Sequence, residues 1–158
     1  MNPPRIEILP SKLLVGRSLE MSFLKDQTAE LWKAFMPFRN AVPHRVGTHY
    51  MSMQVYPAES AGNITPTSIF RKWAVVEVSE VDALPDGMVS YDLSGGKYAV
   101  FIHHGPASAF GETMKHIFQV WLPSSGFQID SREHFELLEE GYSPSDPQAR
   151  EEIWIPIK

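Results

Sequence analysis

The 158 residues, 43% of them hydrophobic, are enough for one folded domain with a sizeable core. A net charge of −5 without a basic stripe excludes a surface that tracks nucleic-acid phosphates, and the absence of cysteine excludes disulfides, thiolate zinc sites and cysteine nucleophiles. No stretch has the length of a membrane span and MNPPRIEILPSK lacks the apolar core of a signal peptide, so we expect no membrane association and a cytoplasmic location.

The first half of the chain predicts a strand, a helix and two further strands. Residues 5–21 alternate in two places, which predicts a first strand that is broken in the middle. KDQTAELWKAFMPFRNAV (25–42) has helical apolar spacing at Leu31, Trp32, Phe35 and Phe38, with Asp26 or Thr28 as cap and Pro37 near its end. Two segments typical of strands follow, THYMSMQVYP (48–57) and FRKWAVVEVSEV (70–81), separated by the turn-rich loop AESAGNITPTS (58–68).

The second half repeats this order. LPDGMVSYDLSGGKYAVFIHHGP (84–106) predicts a short strand, a Gly-Gly turn and a longer strand, and SAFGETMKHIFQVWLPSSG (108–126) predicts a helix that ends at Pro123 and Gly126. EEIWIPIK (151–158) alternates as a strand does, with its isoleucines on one face and Glu152 and Trp154 on the other.

Thirteen prolines are too many for a helical bundle, so we expect an α+β fold. The repeated order predicts a single domain over residues 1–158, with pseudo-repeats at about 5–80 and 88–158.

The secondary structure of the segment SREHFELLEEG (131–141) determines the environment of Glu136. In isolation it favours a helix, because Glu and Leu are good helix formers and Phe135 and Leu138 are three residues apart. In that interpretation Glu136 belongs to a solvated helix face. An inner strand, with Glu136 among apolar neighbours, is the alternative.

The sequence favours neither a metal nor a cofactor. His103 and His104 are adjacent on a predicted strand and therefore point to opposite faces, and the other histidines lack metal-ligand spacing. The Ser-Ser-Gly sequence at 124–126 is not the nucleophile elbow of a serine hydrolase, and the glycines at 95–96 precede a strand rather than a phosphate-binding helix.

Several strings together resemble one family. LPDGMVSYDLSGGKYAVFIHHGP, WLPSSGFQIDSREHFELLEEG and EEIWIPIK, with AELWKAFMPF, THYMSMQVYP and FRKWAVVEV before them, look like the GyrI-like small-molecule-binding domain, the effector-binding domain of AraC-type and MerR-type multidrug regulators. The resemblance covers essentially the whole chain. It implies duplicated strand-helix-strand-strand halves and a curved antiparallel sheet, with two helices on one face and a ligand cleft on the other. It also implies a stand-alone binding domain without a DNA-reading helix-turn-helix.

The resemblance also implies a site. It makes 131–141 an inner strand, on which Phe135 and Leu137 face the helices while Glu136 and Leu138 face the cleft. A carboxylate there would pair with a protein donor or with a cationic, aromatic ligand. The candidate ligand-binding residues are Glu136, Trp73, Tyr50, Tyr91, Trp154 and Phe127. Ordinary core packing is the alternative for each aromatic residue.

The favoured function is a binding module for hydrophobic, cationic aromatic compounds, serving transcriptional regulation or drug sequestration without turnover. One alternative is a hydrolase of strained electrophiles, with Glu152 or Glu77 as the second acid beside Glu136. Another is a protein-interaction inhibitor of a DNA-modifying enzyme such as a topoisomerase, and a haem site would need a buried histidine lining the cleft. Direct nucleic-acid binding is not expected, and pairing of edge strands in a homodimer stays open.

Overall fold

The computed structural model describes residues 2–60 and 63–158, and in this part of the chain eight strands form one antiparallel sheet. The strands are β1 (Arg5–Leu9), β2 (Lys12–Met21), β3 (Tyr50–Val55), β4 (Phe70–Val78), β5 (Val89–Leu93), β6 (Gly96–His104), β7 (His134–Leu138) and β8 (Arg150–Pro156). The helices are α1 (Thr28–Phe35), α2 (Phe110–His116) and α3 (Leu122–Ser125). A 3-10 segment, Met36–Ala41, follows α1, and a π-helical turn, Ile117–Trp121, joins α2 to α3.

The sheet has the strand order β1-β6-β8-β7-β3-β4-β2-β5, which is symmetric about the junction of β3 and β7. β1 precedes β2 in the chain but pairs with β6, and β5 precedes β6 but pairs with β2. Each half of the curved sheet therefore carries its outermost strand from the other half. The α+β class with two helical segments is confirmed, while the repeat boundaries stay a prediction.

Both helical segments lie on the same face of the sheet. Leu31 and Phe35 of α1 are buried with Tyr50 and Val76, and Leu138 packs against this cluster. Ile117 is buried with Phe101, Ile153, Ile155 and Ile157 beneath α2 and the π-turn. Leu138 and Glu136 share one face of β7, and Glu136 is paired with Ile153, so the two clusters are on one side.

In the described ranges the core of the opposite face is built from strand residues alone, and this face is buried. Its core contains Tyr98, Phe135, Trp73 and Trp154, all at most 7% exposed. The rings of Phe135 and Trp154 stack with centroids 5.1 Å apart. Because the sheet is curved, this face closes on its own aromatic side chains.

Most of the predicted elements are confirmed, with local corrections. The first strand breaks at Pro10 and Ser11 into two strands with different partners. Asp26 accepts the backbone N–H of Thr28 at the start of α1, and Pro37 lies in the 3-10 segment that follows the helix. Phe38 is 49% exposed, so its assignment to the helix face was wrong.

The helix favoured for 131–141 in isolation is replaced by β7. In the predicted loop 58–68, Ala61 and Gly62 lie outside the described residues. None of the helices in the described ranges is long and apolar enough to cross a membrane.

Candidate functional site

Glu136 lies on the helix-bearing face, at the middle of the sheet. Phe135 and Leu137 pack with the aromatic core of the opposite face, whereas Leu138 packs against the cluster under α1. The expectation that Phe135 and Leu137 face the helices was therefore wrong. Glu136 projects from the strip of sheet between the two helical clusters. We call this strip, formed by Ser52, Gln54, Tyr56, Lys72, His134, Glu136 and Glu151, the central strip.

Glu136 has two partners within the sheet. Gln54 donates a hydrogen bond from Nε2 to Glu136 Oε1 at 3.1 Å, and Lys72 Nζ lies 3.5 Å from the same oxygen. The side chains of Lys72 and Glu136 are 7% and 12% exposed. The strip thus holds a largely buried ion pair, which compensates part of the cost of removing a carboxylate from water.

A second carboxyl, Glu151 of β8, belongs to the same strip. Burial raises the pKa of Glu151, and the charge of Glu136 raises it further, against a hydrogen bond with Tyr142 and the charges of His103 and Lys72. The carboxyl of Glu151 consequently holds a proton more readily than an exposed glutamate does. The strip therefore combines a carboxylate paired with lysine and a second carboxyl whose pKa is raised.

An aromatic series leads from the surface to His134, which is two residues from Glu136 on the same face of β7. Phe23, half-exposed, contacts Phe70 at a centroid distance of 5.0 Å, and Phe70 contacts Tyr56 at 5.4 Å. Tyr56 meets His134 edge-on at 5.1 Å. Burial raises the pKa of the Tyr56 hydroxyl, and the charge of Glu136 adds to this. Burial also lowers the pKa of His134 to about 4, helped by the charge of Arg132, so His134 is neutral at pH 7.

The space beside this series is small. Tyr56, Ile64, Arg132 and His134 are among the residues lining a cavity of about 10 Å³, room for about one water molecule. Drug-sized ligands occupy pockets of roughly 300–1,000 Å³. The cavity beside this series is therefore too small for a ligand of that size with the side chains in their present positions.

The structure does not bring the sequence-predicted aromatic residues together with Glu136. Trp73, Tyr91 and Trp154 pack in the core of the opposite face. Tyr50 is buried under α1 with the Arg45 guanidinium 4.5 Å from its ring centroid. Phe127 stacks on Trp121 and lines a wide depression of about 630 Å³ beside the end of α3. Their role in ligand binding stays a prediction.

The nominated second acids are also elsewhere. Glu152 accepts hydrogen bonds from Trp154 Nε1 and from Arg5, and Glu77 pairs with Lys12, both on the face opposite Glu136. The second acid that lies on the central strip with Glu136 is Glu151. Sequence reasoning missed Lys72, although its alternation with Ala74 and Val76 was a signal that it shares their buried face.

Outside the strip, the buried histidine among the described residues is His103, and both of its ring nitrogens have protein partners. His103 is buried, but its ring nitrogens are 2.7 Å from Thr113 Oγ1 and 3.2 Å from the carbonyl oxygen of Pro106. In the described ranges, one group of three side chains could hold a metal ion, namely the exposed His44, Glu80 and Asp82. His44 Nε2 lies 3.0 Å from Glu80 Oε1 and 3.5 Å from Asp82 Oδ2, so contacts among the three side chains account for that cluster.

The family model of the GyrI-like small molecule binding domain matches residues 2–158 of the sequence. The chain belongs to the GyrI-like family. The match extends over almost its whole length, in agreement with the strand order and the two helical segments.

Relatives of this GyrI-like domain include a transcriptional regulator. This chain is 30% identical over 156 residues to the transcriptional regulator BrlR of Pseudomonas aeruginosa. The aligned region covers 97% of this chain and 54% of BrlR. The chain therefore spans about half the length of that relative.

Solved structures share the fold of this GyrI-like domain. The EcmrR C-terminal domain has a TM-score of 0.73 at 12% identity, with 98% of this chain and 96% of that chain covered. SAV2435 bound to tetraphenylphosphonium has a TM-score of 0.68 at 17% identity, covering 100% and 94%. At such low identity these similarities show the fold alone.

Proposed function

We propose that the domain binds a hydrophobic aromatic small molecule over the central strip, with Glu136 accepting the cationic or hydrogen-bond-donating group of the ligand. The observation that carries this proposal is the placement of a 12%-exposed carboxylate between two apolar helical clusters. Groups of this kind are costly to keep, and are common where a ligand completes their interactions. SAV2435, whose fold this chain shares, was solved with an aromatic cation bound.

The aromatic series supports this position. The rings of Phe70 and Tyr56 connect the exposed Phe23 to His134, which is two residues from Glu136 on the same face of β7, so an aromatic ligand can exchange water for ring contacts as it moves inward. Entry requires displacement of these side chains, since the present cavity holds about one water molecule. Ligand binding is then coupled to a change in the packing between β3, β7 and the helices.

The biological use that we propose is transcriptional regulation or sequestration of the bound compound. Similarity to BrlR, a transcriptional regulator, supports the first of these. A cytoplasmic location and a homodimer or other protein partner stay predictions.

A thermal-shift titration with aromatic cations and neutral analogues tests the function. We expect micromolar ligands to raise the unfolding midpoint of the wild type, because they bind only the folded state, and Glu136→Gln to lose most of this shift. Glu139→Gln is the matched control, since Glu139 follows β7 directly but its side chain is 64% exposed. Equal shifts in the wild type and Glu136→Gln would remove Glu136 from the site.

A second candidate function is hydrolysis of a strained electrophile. The observation that favours it is the presence of two carboxyls on one strip, with the pKa of Glu151 raised chiefly by burial. Glu136 would take a proton from the attacking water while Glu151 gave one to the leaving atom, so that water is added across the broken bond. Turnover of an epoxide-bearing aromatic that is lost in both Glu136→Gln and Glu151→Gln would support this function, and binding without product would reject it.

A further inference from the structure

Lys72 is an unusual residue for its position. On β4 it shares the helix-bearing face with Phe70, Ala74 and Val76, all buried, and it is itself 5% exposed. Lysine is rarely buried to this degree unless its ammonium group is paired. Its ion-pair partner among the described residues is Glu136, at 3.5 Å.

Lys72 and Gln54 approach the same oxygen of Glu136. Both the ammonium group and the amide of Gln54 are closest to Oε1. In the described ranges Oε2 accepts no hydrogen bond, and it is not among the buried polar atoms that lack a partner. One oxygen of the carboxylate is therefore engaged, and the other is available to an incoming donor.

The charges around the strip determine what that donor can be. The positive charge of Lys72, 3.5 Å from Glu136 Oε1, balances the negative charge of that carboxylate. A permanent cation placed against Oε2 would lie within a few ångströms of the Lys72 ammonium group. Repulsion between like charges is strong at such a distance when water is largely excluded. An uncharged O–H or N–H group is not repelled by the Lys72 ammonium group in this way.

We propose that Lys72 acts as an internal counter-ion that fills the cation position at Glu136, so that the site selects aromatic compounds with an uncharged hydrogen-bond donor over permanent aromatic cations. This inference rests on the proposed function, because it concerns the ligand class of the same site. Lys72 is then a specificity-determining residue, and its removal converts the site to one for cations.

Three probes with similar aromatic bulk separate the contributions. Triphenylmethanol carries an uncharged O–H donor, triphenylmethane has no donor, and tetraphenylphosphonium is a permanent cation. Isothermal titration calorimetry at constant pH and ionic strength gives their affinities for the wild type and for Lys72→Met, which keeps the length of the stem. Lys12→Met is the matched control, because Lys12 pairs with Glu77 on the opposite face.

For the wild type we expect triphenylmethanol to bind at least tenfold more tightly than tetraphenylphosphonium, and more tightly than triphenylmethane. Lys72→Met should gain at least tenfold in affinity for tetraphenylphosphonium and change less than threefold for triphenylmethanol. Lys12→Met should match the wild type.

Two results would overturn the inference. If the wild type prefers the cation to triphenylmethanol, Lys72 does not exclude cations, and this result is obtained even if Lys72→Met fails to fold. The proposed function survives that outcome, since a small molecule still binds. If no probe binds to any of the three proteins, the wild type, Glu136→Gln and Lys72→Met, the proposed function and the inference fail together.

Discussion

Lys72 and Glu136 form an ion pair across an intervening strand, with Nζ and Oε1 3.5 Å apart on β4 and β7 while β3 lies between them. The side chain of Lys72 passes over β3, where Gln54 is its register partner and hydrogen-bonds the same carboxylate. Three strands from both halves of the sheet are thereby connected by one polar contact. The buried pair joins the halves at the place where we locate the site.

Removing one charge of this pair should destabilise the fold. Lys72→Met leaves a largely buried carboxylate without its counter-charge, and we expect a loss of about 2–4 kcal/mol in the free energy of unfolding by urea denaturation. Lys12→Met, which breaks a shorter but more exposed pair with Glu77, should cost less than about 1 kcal/mol. Equal losses in the two variants would mean that the central pair is solvated.

Removing both charges should restore much of this stability. In Lys72→Met combined with Glu136→Leu no buried charge is left, and replacement of a buried ion pair by apolar side chains is often neutral. The double variant should therefore be more stable than Lys72→Met alone, as measured in a double-mutant cycle at pH 7. A double variant as unstable as the sum of the single ones would show that the two side chains act independently.

Acid should weaken the fold through His134. Its pKa of about 4 in the folded protein is below the ordinary value of 6.5, so the unfolded chain binds the proton more tightly. The stabilisation is complete above pH 6.5 and is lost as the pH falls through the window between 6.5 and 4. At pH 5 we expect a loss of about 2 kcal/mol relative to pH 7 from this group.

The control for this prediction is His134→Gln, which cannot take up the proton. Its unfolding free energy should fall less between pH 7 and 5 than that of the wild type, with the difference assigned to His134. The comparison also subtracts the titration of Asp130 and Glu151, whose pKa values are shifted in opposite directions. Parallel pH profiles for the two proteins would contradict the prediction.

The sequence could predict which residues share a face, but not which face carries the helices. Alternation correctly grouped Ile153, Ile155 and Ile157, and it separates Glu136 from Phe135. The orientation of those groups depends on where α1 and α2 dock, which is a long-range property. Local propensity also favoured a helix at 131–141, and pairing of β7 with β3 and β8 on both sides overrides it.

The aromatic residues illustrate the same limit. Trp73 and Trp154 were placed on strands correctly, but their burial follows from curvature of the sheet, which no local pattern encodes. Lys72 was missed because its significance appears only when the residue across β3 is known. The family resemblance predicted the fold, whereas the polar contact between Lys72 and Glu136 depends on the pairing of strands that are distant in the chain.

Close strand packing makes Gly16 sensitive to substitution. On β2 it lies between β4 and β5, and a Cβ at this position would be 1.9 Å from the carbonyl oxygen of Ala74. Gly16→Ala should therefore destabilise the fold by more than about 2 kcal/mol. Gly111→Ala in α2 meets no atom within 4 Å and should be neutral or stabilising by about 0.5 kcal/mol. Thermal midpoints of both variants check the contrast, and a tolerated Gly16→Ala would mean that β2 and β4 can separate locally.

Variants on the two faces of the sheet distinguish the central strip from the aromatic core as the ligand site. Trp154 stacks on Phe135 and donates a hydrogen bond to Glu152 within the aromatic core opposite the central strip. Trp154→Leu should lower the free energy of unfolding by about 3 kcal/mol. It should leave the affinity of the folded protein for triphenylmethanol within twofold of the wild type, whereas Tyr56→Ala on the strip should weaken it at least tenfold. The reverse pattern would place the ligand among Trp73, Tyr91 and Trp154, as the sequence suggested, because only a site on that face would lose affinity with Trp154 and keep it without Tyr56.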